Sequence, residues 1–311
     1  MDPWTQPLRG IFPVLPTPFT DAGAVDTNAM TRIVDFALGT GVDGVVYPGF
    51  ASEVSELTDA ERAELLEIVV ARAGDRTRII AGASGSSATD TIRHGRRAVA
   101  FGVNLLMIQP PGGLGRDLER LIRYFSEVTD AIPEARFVLQ NAPAPRGSDL
   151  TPETICRLAV RFPQIAYVKE ETLPAGPAIS HVLAHRPASL GGVFGGGGAR
   201  YILDEYSRGA CAAAPALEIA DLHVALDRAW RNGRPGDARD IYVRTLPLLV
   251  LQAVYRMRLT KHVLMRRGVL EWTGVRAPTP ELDTSAIADI DANLAELGLV
   301  RPTADRTESA A

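Results

Sequence analysis

The chain has 311 residues, of which 46% are hydrophobic and 23% are charged, and its formal net charge is -4. This composition is typical of a globular protein with enough apolar material for a large core. The slight acidity argues against nucleic acid or an anionic membrane as partner, because both favour a basic protein face. No segment reads as a secretory leader or a membrane span, so we expect a cytoplasmic protein.

Short apolar segments of strand composition alternate with longer amphipathic segments up to about residue 215. The eight predicted strands are residues 10–16, 44–47, 78–82, 104–109, 136–140, 166–169, 190–194 and 209–213. Two of the intervening helices have clear start signals. Thr58 and Glu61 have the spacing of a capping box before a helix that continues to Ala73, and Thr151 precedes a proline suited to a first helical position. The other predicted helices are residues 27–38, 89–101, 118–130, 175–184 and 200–207.

Alternation of strands and helices predicts a parallel sheet, and eight such units favour a (β/α)8 barrel over an open sheet. After residue 216 the predicted segments are all helical, at 217–231, at 235–267 with a break, and at 284–297. We therefore divide the chain into a barrel (1–216), a C-terminal helical extension (217–300) and a flexible tail (301–311).

Lysine is rare in this chain. Of the 33 lysine and arginine side chains, only Lys169 and Lys261 are lysines. Arginine does not lose its proton in proteins, whereas a lysine can become a neutral amine and act as a nucleophile. Lys169 ends the sixth predicted strand, and barrel enzymes carry their active sites at the carboxyl ends of the strands. The alternative is a solvated lysine that closes a strand, but the scarcity of lysine favours a chemical role.

Other strand ends carry further candidates. Glu53 and Glu171 are suited to acid or base work if burial raises a pKa, and ion pairing with the many arginines is the alternative. The four glycines at 195–198 could present backbone N–H groups to a phosphate or a carboxylate. Arg200 is either an anion ligand or a solvated side chain.

We expect no metal site, no disulfide and no cofactor. Cys156 and Cys211 lie far apart and lack metal-ligand spacing. The histidines all fall in predicted helices, where packing or surface roles are the usual ones; they are His94, His181, His185, His223 and His262.

Five segments occur in the order and spacing of a known family. They are GIFPVLPTPF at the first strand, Gly-x-x-x-Glu at 49–53, Asn-x-Pro at 141–143, Val-Lys-Glu at 168–170 and TKHVLMRRG at 260–268. Together they resemble the dihydrodipicolinate synthase and N-acetylneuraminate lyase superfamily over about residues 8 to 300. The resemblance implies a (β/α)8 barrel with a helical extension, a homo-oligomer that is usually a tetramer, and a Schiff base between Lys169 and the ketone of a 2-keto acid.

Departures from the family pattern bear on the reaction. The hydroxyl residues that hold the keto-acid carboxylate are replaced by Phe50 and Ala51, and the strand-5 tyrosine that shuttles protons is replaced by Gln140. The arginine position of the synthase falls on Pro145, with Arg146 one place later. We therefore do not expect the synthase reaction.

A branch similar to 2-keto-3-deoxy-L-arabonate dehydratase fits these departures better. It shares the first-strand GIFPV, Gln-x-Ala-Pro at 140–143, Lys-x-Glu-Thr at 169–172 and a similar motif at 260–265. Its strand-2 loop reads Asn-Phe-Ser-Glu where this chain has Gly-Phe-Ala-Ser-Glu, so the chemistry transfers more directly than the substrate.

The leading hypothesis is dehydration of a 2-keto-3-deoxy sugar acid through a Lys169 enamine. Glu171, or a water held by Ser52 and Gln140, would carry the proton. Gln140 leaves no obvious base for the C4 hydroxyl that aldol cleavage requires. A class I aldolase or hydratase-aldolase and a non-catalytic keto-acid-binding paralogue remain as alternatives. The expected substrate-binding residues are Thr17, Phe50, Ala51, Ser52, Gly195, Gly196 and Ala214.

Overall fold

A computed structural model describes residues 7–300, so the tail expected at 301–311 lies outside the described residues. Eight parallel strands form a single sheet in the order β1-β8-β7-β6-β5-β4-β3-β2. A parallel bridge between Val14 and Val46 joins the first and second strand segments and closes the sheet into a barrel. The strands are β1 (Gly10–Ile11), β2 (Gly44–Tyr47), β3 (Arg78–Gly82), β4 (Leu105–Ile108), β5 (Arg136–Asn141), β6 (Ile165–Glu170), β7 (Gly192–Gly195) and β8 (Ala212–Ala213).

In the described part of the chain a helix at residues 220–231 follows the last strand, which confirms the predicted (β/α)8 barrel, and seven helices lie between successive strands. They are α1 (Thr27–Gly39), α2 (Asp59–Ala73), α3 (Ala88–Ala100), α4 (Leu118–Ala131), α5 (Pro152–Arg161), α6 (Ala175–His185) and α7 (Ile202–Ser207). The side chain of Thr58 accepts the N–H of Glu61 and that of Thr151 accepts the N–H of Thr154, so both expected N-caps form.

The C-terminal extension is helical. It consists of α8 (Ala220–Arg231), α9 (Pro235–Tyr255), α10 (Met257–Arg266) and α11 (Thr284–Glu296). The break expected in the long segment 235–267 falls at Arg256, whose φ of 49° separates α9 from α10. No helix within residues 7–300 combines the length and the apolar character that a membrane crossing requires.

Two strands are shorter than their sequence patterns predict. The first strand was expected over 10–16 but ends at Ile11, since Pro13 and Pro16 have no N–H group for the ladder. The last strand was expected from Gly209 but begins at Ala212. Gly209 has a φ of 95°, which belongs to the turn after α7.

The core has an inner layer inside the barrel and an outer layer between strands and helices. Phe12, Val46, Met107, Val138 and Phe194 belong to the inner layer and are 2% exposed or less. Because these side chains fill the barrel, a substrate can enter only at one of its ends.

Candidate active site

Lys169 is the penultimate residue of β6 and lies at the carboxyl end of that strand. Its register partners are Gln140 on β5 and Phe194 on β7. Side chains alternate between the two faces of a strand. Val168 faces the helices and Lys169 therefore faces inward, where its side chain is only 4% exposed. A primary amine is thus buried beside an amide and a phenyl ring.

The carboxylate of Glu171 lies at the centre of the polar groups around Lys169. Its Oε1 is 3.5 Å from Lys169 Nζ, and its Oε2 is 3.7 Å from a guanidinium nitrogen of Arg146 and accepts a hydrogen bond from Gln140 Nε2. The N–H of Gly197 also donates to this carboxylate. Burial alone would raise the pKa of Glu171, but the two cations and the two hydrogen bonds outweigh it and lower that pKa. Glu171 is therefore held as an anion.

The two glycines expected to bind substrate face different directions. A Cβ atom on Gly196 would lie 2.5 Å from Glu171 Oε1, so this glycine makes room for the carboxylate beside Lys169. A Cβ atom on Gly195 would instead collide with the carboxyl group of Glu205 on α7, behind the strand. The structure brings Gly196 to the Lys169 cluster and gives Gly195 a packing role on the outer face.

Two buried glutamates near this cluster were not foreseen from the sequence. Burial raises the pKa of Glu205 to about 8, with further contributions from Asp204, Glu171 and Glu170. Burial also raises the pKa of Glu170 to about 7, although Asn141 donates to its carboxylate. The signal for Glu170 was its place beside Lys169 in a strand. Glu205 had no signal, since an acid in a short amphipathic helix looks like a surface residue.

The loop after β2 contains two 3-10 turns, the first over Phe50–Ser52 and the second over Val54–Glu56. Ser52 Oγ donates to the carbonyl of Leu15 at 2.5 Å and accepts the N–H of Gly49 at 2.9 Å. Thr17 Oγ1 donates to the carbonyl of Ser52 at 2.6 Å and lies 3.0 Å from the hydroxyl of Tyr47. The hydroxyl groups expected to hold substrate or water therefore fasten the loop to the barrel.

The same loop presents unused backbone donors. The N–H groups of Phe50 and Ala51 have no acceptor within residues 7–300. The Phe50 ring lies between two guanidinium groups, with Arg146 at 4.7 Å and Arg256 at 5.5 Å from its centroid. Arg146 also contacts Glu171, so its positive charge lies between the loop and the lysine cluster. Ala214, at the end of β8, packs in the inner layer.

The other sequence candidates have defined partners. Glu53 does form an ion pair, but its partner is Lys261 rather than an arginine. The guanidinium of Arg200 donates to the side chain of Gln252 and the carbonyl of Leu249. Over the described range, 7–300, no three His, Cys, Asp or Glu side chains are grouped to hold a metal ion.

Comparison with known proteins identifies the family of this chain. The family model described as "Dihydrodipicolinate synthetase family" matches residues 7–297. The chain belongs to that family. Membership of this family indicates a lyase of the dihydrodipicolinate synthase type.

Several relatives in this family align with nearly the whole chain. The L-2-keto-3-deoxyarabonate dehydratase of Azospirillum brasilense is 32% identical over 286 residues, which cover 91% of this chain and 92% of the relative. A probable 2-dehydro-3-deoxy-D-pentonate aldolase of Escherichia coli is 28% identical and covers 88% of this chain and 89% of its own. The crystal structure of the dihydrodipicolinate synthase from Rhodopseudomonas palustris superposes with a TM-score of 0.85 at 27% identity, covering 93% and 97% of the two chains.

Proposed function

We propose that this protein is a Schiff-base-forming lyase that dehydrates a 2-keto-3-deoxy sugar acid. The observation that carries the proposal is the group formed by Lys169, Glu171 and Gln140. It combines a buried amine, a carboxylate 3.5 Å from that amine and an amide on the neighbouring strand. The relationship to a dehydratase of 2-keto-3-deoxyarabonate supports the same chemistry.

The first stage makes an electron sink. Lys169, as the neutral amine, attacks the C2 ketone to give a carbinolamine, and uptake of one proton from solvent with loss of water then gives an iminium ion. The iminium acidifies the C3–H bond, and the carboxylate of Glu171 takes that proton to form the enamine. Because its pKa is lowered, Glu171 is ionised, which is the state that can take the C3 proton. Ser52 is less suited to hold a catalytic water, since its hydroxyl is engaged by Leu15 and Gly49.

The second stage expels water. The enamine electrons form the C3=C4 double bond as the C4 hydroxyl leaves, and Glu171 returns its proton to that hydroxyl. Hydrolysis of the unsaturated iminium then adds water at C2, restores the neutral Lys169 amine and releases to solvent the proton taken up when the iminium formed. The net reaction is loss of one water from the keto acid, with no net change in the protonation of the protein.

The substrate carboxylate would bind at the loop after β2. Phe50 and Ala51 lack the hydroxyl groups of their family counterparts, but their N–H groups are unused and can donate to an anion. Arg146 adds a positive charge between this loop and Glu171. The backbone next to Gly196 completes the proposed binding surface.

Aldol cleavage is the second candidate, favoured by the relative named as a probable 2-dehydro-3-deoxy-D-pentonate aldolase. Cleavage needs a group that removes the C4 hydroxyl proton. In this chain Glu171 would take that proton and later return it to C3, so both candidate reactions use the same carboxylate. Pyruvate together with an aldehyde among the products would favour this candidate, whereas an uncleaved dehydrated acid would favour the dehydratase.

The test is reductive trapping. The protein is incubated with pyruvate, or separately with 2-keto-3-deoxy-L-arabonate, and sodium borohydride, then analysed by intact mass and peptide mapping. We expect one reduced adduct on the peptide that contains Lys169 and none in Lys169→Ala. No adduct with either acid would contradict Schiff-base chemistry, and binding without turnover would favour the non-catalytic alternative.

Assembly and location remain proposals that rest on family membership. We propose a homo-oligomer in the cytoplasm that acts on a small 2-keto acid. Light scattering of the purified protein tests the assembly directly, and a monomer at micromolar concentration would contradict it.

A further inference from the structure

The second lysine of the chain is the most deeply buried cation of the described residues. Lys261 lies on α10 and is 0% exposed. Its Nζ is 2.6 Å from Oε1 of Glu53 and donates to the carbonyl of Gly274 at 2.7 Å. It also lies 4.1 Å from the ring centroid of Phe19 in the loop after β1. A buried charge requires such partners, because desolvation of an unpaired ion is costly.

Glu53 connects this lysine to the loop after β2. It follows the Phe50–Ser52 turn directly and has a left-handed φ of 57°, which is unusual for a residue other than glycine. Its second oxygen accepts the N–H groups of Arg276 at 2.6 Å and Ala277 at 2.7 Å. One carboxylate thus receives three donors from the C-terminal extension, and these contacts oppose relaxation of the strained backbone.

The Arg276 side chain extends the connection to neighbouring segments. Its guanidinium donates to the carbonyls of Gly23 and Glu56 and to the carboxylate of Glu61, the capping residue of α2. The same guanidinium lies 4.4 Å from the ring centroid of Phe19. The extension therefore holds the loops after β1 and β2 together.

The turn that Glu53 terminates has the unused N–H groups of Phe50 and Ala51. At the two positions where family relatives use hydroxyl side chains, this loop offers a carboxylate only backbone donors. Backbone donors cannot rotate to meet a ligand as hydroxyls can, so their usefulness depends on where the turn is held.

We propose that Lys261 is a positioning residue for 2-keto acid binding, acting through Glu53 to fix the backbone N–H groups of Phe50 and Ala51. It does not touch the substrate. This inference rests on the proposed function, because it takes the substrate carboxylate to be the ligand of the Phe50–Ser52 turn. Removal of the Lys261 ammonium would leave the buried Glu53 carboxylate with only two N–H donors. Glu53 would then move toward water, and the adjacent Phe50–Ser52 turn would move as well.

The test compares Lys261→Met with His262→Gln. His262 is the next residue of α10 but faces Asp291 of α11 at 3.2 Å, so this control perturbs the same helix away from the loop. The readouts are the pyruvate concentration that gives half of the maximal borohydride adduct at Lys169, and the maximal adduct itself. We expect the half-saturating concentration of Lys261→Met to rise by about tenfold with the same maximum, since misplaced donors weaken binding. The control should stay within about twofold of the wild type.

A second measurement separates positioning from general destabilisation. Hydrogen exchange of the full-length protein, followed by mass spectrometry, reports on a peptide that covers residues 49–57. Exchange there should accelerate in Lys261→Met and not in His262→Gln. If Lys261→Met does not fold, the double variant Lys261→Met/Glu53→Gln replaces it, because the double variant has no unpaired buried charge. A Lys261→Arg variant retains the positive charge and should have an affinity between those of Lys261→Met and the wild type.

The outcomes are distinguishable. An unchanged half-saturating concentration, or unchanged exchange at residues 49–57, overturns the role of Lys261. A wild-type protein that forms no adduct overturns the proposed Schiff-base function, and hydrogen exchange then still decides whether Lys261 fixes the turn.

Discussion

Gln140 is the register partner of Lys169, and its amide donates to the carboxylate that faces the lysine amine. An amide can orient Glu171 but cannot relay a proton as a phenol does. The pair therefore favours chemistry in which one carboxylate moves the proton between C3 and the leaving hydroxyl.

Replacing that amide by a phenol should shift the products. We expect Gln140→Tyr to increase the fraction of pyruvate by about tenfold, because the phenol can relay the C4 hydroxyl proton. Gln140→Phe is the matched control, with the same ring and no hydroxyl. Chromatography of the products after incubation with 2-keto-3-deoxy-L-arabonate gives the ratio. An equal rise in both variants would attribute the effect to ring size and refute the role of the hydroxyl.

Removing the charge of Glu171 should separate adduct formation from turnover. Glu171→Gln retains the size of the side chain but cannot accept the C3 proton. We expect turnover to fall by about 100- to 10,000-fold. Borohydride trapping at Lys169 should still occur, as measured by intact mass. Wild-type turnover in this variant would mean that another group carries the proton.

One methyl group beside Glu171 should also impair the site. In Gly196→Ala the new Cβ would lie 2.5 Å from Glu171 Oε1 and displace the carboxylate from Lys169. We expect turnover to fall by about 100-fold with little loss of melting temperature. Gly113→Ala, in the loop after β4, is the control, because a Cβ there meets nothing within 4 Å. Equal turnover in the two variants would argue against the observed position of Glu171.

Stability should depend on pH through Glu205. The unfolded chain releases this proton near the ordinary pKa of 4.5, whereas the folded protein retains it until about 8. The folded state therefore binds more protons in this interval, and the free energy of unfolding should decrease between pH 4.5 and 8, by at most about 1.4 kcal/mol per pH unit for one group.

The Glu205→Gln variant checks this contribution. Its melting temperature should fall less between pH 5 and pH 8 than that of the wild type, whereas a variant of the exposed Glu64, Glu64→Gln, should follow the wild type. Parallel curves for Glu205→Gln and the wild type would show that the carboxyl group is not held neutral.

The barrel and part of its site followed from local patterns. Parallel strands end at one edge, so residues at neighbouring ends, such as Gln140 and Lys169, were expected to meet. The pairing of Glu53 with Lys261 could not be derived in this way. The two residues are 208 positions apart, and the pairing depends on how the extension packs against the barrel. Likewise, nothing in the sequence indicated that the hydroxyls of Thr17 and Ser52 would fasten the loop after β2 to the segment after β1.

The scarcity of lysine has a consequence for the outer surface. Lys169 is 4% exposed and Lys261 is 0% exposed, and the sequence contains no third lysine. Every lasting positive charge on the outside is therefore carried by arginine. Reagents that acylate primary amines find no side-chain target there, so cross-linking or dye attachment through lysine should leave the exterior unmodified. A small amine-directed reagent that enters the barrel mouth would instead mark the one amine on which the proposed reaction depends.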